Sequence, residues 1–261
     1  MKIYCLSIYN QYFDDFKNLN LIPVGLGNAF FDNKWLNDRS KNNISSKNVN
    51  YGEYTFHYSL WKNNLIYNTE SWIGFCTYRR FWVSNKIDKI NNFKELNNII
   101  LREPKDEWHK YEVILGEPLV HYKIKNIKLI KKNILEVLKK PSVLFKRNTI
   151  KDQFNIFHGS FFLKQALNLL SPVNKEGFDQ YLNDYLLHPF NMFICKNPRI
   201  LNEFYNEIFP WLFKCEEIFK NYELKGYEKI RIYGFLAERY MPYWFIKNFK
   251  TTTNPITFFE N

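Results

Sequence analysis

The chain predicts an α/β fold built on a buried central sheet, and three observations carry that prediction. Residues 2–9 open the chain with an apolar segment of strand length. Residues 71–82, Ser71-Trp72-Ile73-Gly74-Phe75-Cys76-Thr77-Tyr78-Arg79-Arg80-Phe81-Trp82, are β-branched and aromatic with no helical period, as a buried strand is. Between and beyond such runs, residues 51–63 and 199–221 space their apolar side chains as helices do, so both kinds of element share the chain.

With 261 residues and no internal repeat or low-complexity linker, one domain over 1–261 is expected. The 37 Lys and Arg against 26 Asp and Glu leave a net charge of +11, which suggests an anionic partner: phosphates of a small ligand or an anionic membrane surface. No basic block or nucleic-acid motif appears, so nucleic acid is not expected as a partner. Cys5, Cys76, Cys195 and Cys215 have no metal-ligand spacing and read as buried small hydrophobes in a reducing compartment. Residues 1–9 are too short and too polar afterwards for a signal peptide, and no uncharged apolar run reaches the ~18 residues of a membrane span. A cytoplasmic protein is expected, with the inner face of the cytoplasmic membrane as a surface it can touch.

In chain order, residues 2–9 offer Ile3, Cys5 or Tyr4, Leu6 and Ile8 to a buried sheet and stop at Asn10-Gln11. Residues 21–28 pair a short apolar piece with two glycines; they lack the six-residue dinucleotide fingerprint and read as a turn. Residues 31–50 are rich in Asn, Asp, Ser and Lys and form a long loop. Asn50 can cap a helix over 51–63, in which Glu53, His57 and Trp61 share one face at i, i+4 and i+8. Glu53 reads either as a ligand for sugar or base hydroxyls or as a surface partner of His57, while His57 reads better as a hydrogen-bonded core residue. Residues 85–112 are polar and part helical, and residues 113–120 form a strand with a turn at its end.

Residues 123–140 alternate lysines with Ile and Leu, as a basic amphipathic helix that covers a core or meets anionic headgroups. Residues 160–187 are helical with an interruption at Ser171-Pro172. Residues 188–196 read as a buried strand with a polar entrance that includes Asn191. Pro198 can start the next helix and Pro210 kink or break it. Residues 231–245 then set Glu238 and Arg239 inside an apolar stretch, where each charge needs a partner.

Ligands in open α/β sheets sit beyond the carboxyl ends of strands, which is where Arg79 and Arg80 fall. Set against this, two arginines at an aromatic rim also read as ordinary surface charge. Taken together, Asn43-Ile44-Ser45-Ser46-Lys47-Asn48, Tyr51-Gly52-Glu53-Tyr54-Thr55, residues 72–81, Phe190-Asn191-Met192-Phe193-Ile194 and Gly234-Phe235-Leu236-Ala237-Glu238-Arg239 resemble one family from the first strand to about Phe245. That family is catalogued as domain of unknown function 4422, the glycosyltransferases of capsule and O-antigen synthesis. The sequence departs from it at Thr77, where the family usually has histidine, and at Gly52, where it often has cysteine. If the family's histidine has a chemical role, Thr77 puts that role in question here.

The resemblance implies a GT-A-like, Rossmann-related fold that uses a nucleotide-diphosphate sugar, with UDP-sugar the commonest kind, and a polysaccharide or lipid-linked oligosaccharide acceptor. Many GT-A enzymes hold a divalent metal with Asp-x-Asp at a central strand end. This chain has no Asp-x-Asp, and the matching strand end is Thr77-Tyr78-Arg79-Arg80. Arg79 or Arg80 is therefore expected to neutralise the diphosphate in place of a metal cofactor, since guanidinium binds phosphate oxygens in a bidentate fork; which of the two faces the phosphates, and dependence on Mn or Mg, stay open. The donor set expected beside them is Tyr9, Asn43, Ser45, Lys47, Tyr51, Glu53, Tyr78 and Arg239. Glu238 is the first candidate for a catalytic base, oriented by Arg239, with a structural ion pair as the plain alternative. Asp152, Asp179 and Asp184 are weaker candidates for that base. On the acceptor side stand His158, in the polar run His158-Gly159-Ser160, and Asn191. A non-catalytic sugar- or nucleotide-binding module and a membrane-peripheral scaffold of a polysaccharide-assembly complex are the rival classes.

Overall fold

The computed structural model describes residues 1–65, 71–87, 89–120, 134–145 and 147–260. They fall into two compact units, one made of Met1–Glu117, Phe190–Asn206 and Phe245–Asn261, the other of Pro118–Pro189 and Glu207–Trp244.

The first unit is a mixed sheet. Its strands are β1 (Lys2–Ser7), β2 (Ile22–Gly25), β3 (Leu36–Asn37), β4 (Ile73–Thr77), β5 (Arg80–Trp82), β6 (Lys89–Ile90) and β7 (Val113–Gly116), with β10 (Phe193–Cys195), β11 (Thr251–Asn254) and β12 (Ile256–Phe259) returning later; β8 (Leu119–Val120) and β9 (Leu186–Leu187) pair separately in the second unit. Among the described residues the main path runs β11-β7-β10-β4-β1-β2-β3. Strands β1 to β4 on this path are parallel, and β10 runs against both β4 and β7. One face packs Ile3, Cys5, Phe16, Trp35, Cys76, Phe81 and Trp82. The other packs aromatic rings: Phe75 lies 5.7 Å from Tyr4 and 5.1 Å from Phe193, and Phe204 lies 4.8 Å from Phe245.

Several local expectations need correction. The first strand stops at Ser7 rather than residue 9, because the Ser7 hydroxyl donates to Tyr9 O at 2.7 Å and accepts from Tyr9 N at 3.0 Å, closing a turn. Residues 21–28 hold a strand, β2, in register with β1 from Tyr4↔Ile22 to Ser7↔Gly25. The helix expected over 51–63 is two helices, Asn48–Tyr51 and Tyr54–Lys62. Gly52, at φ +58° and ψ −132°, breaks them. Residues 71–82 form a hairpin of β4 and β5, closed by the Thr77↔Arg80 pair. Residues 188–196 supply only the three-residue β10.

Pro198–Phe219 is one continuous helix through Pro210. Strands β11 and β12 had no counterpart in the sequence reading, although Thr251-Thr252-Thr253 and Ile256-Thr257-Phe258-Phe259 are β-branched and aromatic on either side of Pro255. All four cysteines are free and buried, and Cys5 and Cys76 are cross-strand neighbours.

The second unit is mainly helical. Ile150–His158 starts with a capping box between Thr149 and Asp152, and Pro172–Leu182 starts at the Ser171 cap with proline in its first turn. Phe178 packs against Trp211, Tyr240 and Tyr243, and Trp211 Nε1 donates to Ala166 O at 2.8 Å. Of the lysine-rich residues 123–140, 123–133 lie outside the described residues; Ile134–Lys139 is a helix. Among the described residues no helix is long and apolar enough to cross a membrane.

Candidate functional site

The carboxyl ends of β1, β2 and β4 lie side by side, because all three strands are parallel and in register. Chain leaving this edge carries Tyr9, Leu26-Gly27 and Tyr78-Arg79, the position where α/β sheets hold ligands. The tight β4–β5 hairpin sends its two arginines different ways. Arg79 is exposed and lines a cleft of about 490 Å³ with Tyr9, Gln11, Tyr12, Tyr78 and Glu260. Arg80 is half-buried, its guanidinium carbon 4.0 Å from the Phe190 ring centroid and 5.8 Å from Phe258. Register explains this, since Arg80 lies opposite both Thr77 and Phe258, and directly paired residues share a sheet face.

Tyr78 ties the edge together. Burial pushes its phenol up, Arg79 pulls it back, Tyr9 raises it, Arg80 lowers it and Glu53 raises it. Tyr9 meets the Tyr78 ring edge-on at 5.0 Å. The structure thus gathers Tyr9, Glu53, Tyr78, Arg79 and Arg80. Phe190 and Asn191, in the same unit, have φ of +78° and +53°. Two consecutive left-handed residues, one a bulky aromatic, are backbone strain of the kind that collects at working sites. Asn191 is 8 % exposed and sits in this turn before β10, not on the strand.

The remaining donor candidates of this unit serve local structure as well. Asn43 Oδ1 accepts from Ser45 N at 3.2 Å and Ser45 Oγ at 2.8 Å, shaping the entry to the 3-10 helix Ser45–Lys47. Lys47 is half-buried, and Tyr51 is fully buried. His57 is fully buried too, its Nδ1 2.7 Å from the Tyr205 hydroxyl, and burial pushes its pKa down to about 3. Its partner is therefore a core tyrosine.

Sequence reasoning missed Asp38. This fully buried carboxylate accepts from Gly27 N at 3.2 and 3.0 Å and from Thr55 Oγ1 at 2.6 Å. Burial raises its pKa, against the lowering pull of Thr55, Gly27 and Arg39. Arg39 Nε donates to Gly27 O at 2.7 Å, and Asn48 Nδ2 donates to Gly52 O at 2.9 Å and Thr55 Oγ1 at 3.1 Å. This knot fixes the loop leaving β2. The glycines of residues 25–27 and the acid one residue beyond β3 were its only signal in the sequence.

In the helical unit Glu238 pairs with Arg239. Arg239 is 6 % exposed; it also reaches Phe235 O at 3.3 Å and Gln153 Oε1 at 3.4 Å and lies 5.6 Å from the Phe154 ring. The two charges of the apolar segment are each other's partners. His158 is 2 % exposed, stacked 4.2 Å from Phe235, with Nδ1 2.8 Å from Glu228 O. Asp152 pairs with Lys140 at 2.7 Å, Asp179 pairs with Lys151 at 2.6 Å, and Asp184 accepts from Tyr185 N. Among the described residues no group of three or more His, Cys, Asp or Glu side chains is placed to hold a metal; Glu53 and Glu260 at the sheet edge do not make such a donor set.

The strand order and the carboxyl-edge site define a GT-A-like, Rossmann-related α/β fold with a mixed central sheet flanked by helices. The fold is similar to that of a solved structure, WbbM, a bifunctional glycosyltransferase in its apo form, over 100% of this chain and 45% of that one, at 17% identity and a TM-score of 0.66. The chain thus spans less than half the length of that protein. Among curated proteins none matches. Residues 2–249 match the model of the family described as domain of unknown function DUF4422, and the chain belongs to that family.

Proposed function

We propose that this protein is a glycosyltransferase moving a sugar from a nucleotide-diphosphate donor, a UDP-sugar, to a surface-polysaccharide or lipid-linked oligosaccharide acceptor of capsule or O-antigen type. The observation that carries the reading is the pair Arg79 and Arg80 at the carboxyl end of β4, beside Tyr9, Glu53 and Tyr78. Leaving-group chemistry at that edge needs positive charge against a diphosphate. Guanidinium supplies it, and the reaction is proposed to proceed with arginine in the place of a metal ion. Arg80, held on Phe190, is pre-positioned to meet charge that develops as the sugar–phosphate bond breaks. Arg79, exposed in the cleft, adds attraction for the bound donor.

Asn43, Ser45 and Lys47 complete the donor side. Tyr51 supports them from the core. Glu238 is proposed as the base, oriented by Arg239, and a single glycosyltransferase-like domain over 1–261 is part of the same proposal. Asn191 is kept as an acceptor contact. His158, buried against Phe235, is kept as the second proposed acceptor contact.

Contact with an anionic membrane face is a second element of the reading. It is supported by Ile134, Leu135 and Leu138, which are 54%, 67% and 65% exposed on a helix that also carries Lys139. A cytoplasmic location follows from the same proposal.

Thermal shifts with UDP-, GDP-, CMP- and dTDP-sugars, followed by hydrolysis assays on any that bind, test the reading. Stabilisation with turnover that survives EDTA is the expected result. Stabilisation without turnover would favour a binding module, no stabilisation by any sugar nucleotide would sink the enzyme, and turnover lost in EDTA and restored by manganese would overturn the metal-free part.

A further inference from the structure

The helical unit carries a cleft that the donor reading leaves unused. A turn at Gly159, with φ of +100°, joins the helices Ile150–His158 and Ser160–Asn168. Asn155 and Ser160 flank this corner and line two adjoining hollows. One, of about 330 Å³, is walled further by Lys151, Phe161, Leu163 and Lys164. The other, of about 170 Å³, is walled by Glu136, Lys139, Lys140 and Asp152. The larger hollow alone falls within the range of small-molecule sites, about 300–1,000 Å³.

The walls of the two hollows suit a sugar ring. In the smaller, Lys139 lies 2.7 Å from Glu136 and Lys140 2.7 Å from Asp152; in the larger, the wall residue Lys151 pairs at 2.6 Å with Asp179, which stands behind the lining. Each pair sets a donor and an acceptor side by side, as adjacent hydroxyls of a pyranose require. Ser160 Oγ donates to Glu136 at 2.9 Å. Burial raises the Glu136 pKa, but the bonds from Lys139 and Ser160 outweigh it, and the group stays below the usual range. Asn155 Oδ1 is buried and meets no hydrogen-bond partner among the described residues. An orphaned amide oxygen is costly unless something donates to it. Phe161, 38% exposed, lies with Leu163 and Leu167 along the apolar part of the wall, where the C–H face of a sugar can rest.

We propose that this cleft binds a pyranose of a glycan, with Asn155 Oδ1 accepting from a ring hydroxyl and Phe161 covering the apolar face. That the glycan is the acceptor rests on the transferase reading; the binding itself rests on the cleft. Saturation-transfer NMR on the full chain, with the methyl glycosides of glucose, galactose, N-acetylglucosamine and glucuronic acid at millimolar concentration, tests it. At least one glycoside should receive saturation at its ring protons. Asn155→Ala and Phe161→Ala should each weaken that binding by about tenfold, while both keep the wild-type thermal shift with the UDP-sugar. Asn155→Ala removes a buried orphan from a helix, so it should unfold at or above the wild-type temperature, which separates lost binding from lost folding. No signal from any glycoside, or equal affinity in the wild type and both variants, overturns the proposal. A missing UDP-sugar shift with glycoside binding intact would count against the transferase and leave the cleft standing.

Discussion

Arg80 rests its guanidinium 4.0 Å from the Phe190 ring, a contact that sets its position before any ligand arrives. Its neighbour Arg79 stands in the open cleft, so the two should fail differently when removed. Arg80→Ala is expected to lower kcat by about 10²–10³, the loss typical of a pre-positioned charge stabiliser. Arg79→Ala is expected to raise the donor KM by about tenfold with a smaller change in kcat, as loss of ground-state binding does. Steady-state kinetics on both variants checks the split; identical effects would refute the division of roles.

His57 makes a separate residue-scale prediction. Its folded pKa is about 3 against 6.5 for the unperturbed group, so between these values the unfolded chain binds the extra proton. The stability held by neutral His57 is fully present above 6.5 and is lost as pH falls toward 3, at up to about 1.4 kcal/mol per unit. Urea midpoints measured downward from pH 7 should decline accordingly, and His57→Gln should flatten the decline.

At the scale of elements, Gly52 decides how the aromatic segment after residue 47 is arranged. Its φ of +58° ends Asn48–Tyr51 and lets Tyr54–Lys62 begin. Across that break Asn48 Nδ2 bonds Gly52 O and Thr55 Oγ1, and Thr55 bonds Asp38, so the break also holds the loop at the edge of β2. Gly52→Ala should therefore cost about 1–3 kcal/mol, the price of an L-residue in that conformation, read as a lower melting temperature, and donor binding should weaken with it. An unchanged melting temperature would show that the backbone relaxes at no cost. The β4–β5 hairpin works in the same way: one turn, closed at Thr77↔Arg80, converts two adjacent charges into one held on an aromatic ring and one open to the cleft.

For the whole molecule, the sheet needs residues from the far end of the chain. Strand β11 is the parallel partner of β7, and β12 pairs with both β5 and β6. The family match ends at residue 249, just before these strands. Deleting residues 250–261 would leave β5, β6 and β7 with open edges that favour aggregation. The truncated chain is expected to lose its sharp thermal transition, followed by circular dichroism and light scattering. A cooperative transition at the wild-type temperature would contradict the account.

How much was legible depends on whether a feature is local. The buried strand within residues 71–82, the interruption at Ser171-Pro172, the helix starting at Pro198 and the arginines at a strand end could be read from the residues, because hydrophobic period and proline geometry act within a few positions. The motifs at residues 43–55, 72–81, 190–194 and 234–239 also pointed to the family that the chain proves to belong to. What the sequence did not disclose depended on partners distant in the chain. Whether residues 22–25 are a turn or a strand was decided by β1 alongside them. Whether His57 faces Glu53 or the core was decided by Tyr205. The buried bonds of Asp38 join residues as far apart as Gly27 and Thr55, and Arg79 and Arg80 were told apart only by Phe190, Phe258 and the Tyr9 cleft. The sequence by itself determined which residues could carry charge to a phosphate and which segments could be buried. Tertiary structure decided which way each side chain faces, because facing is set by strand register and by the rings packed against it, and neither is written in the neighbouring residues.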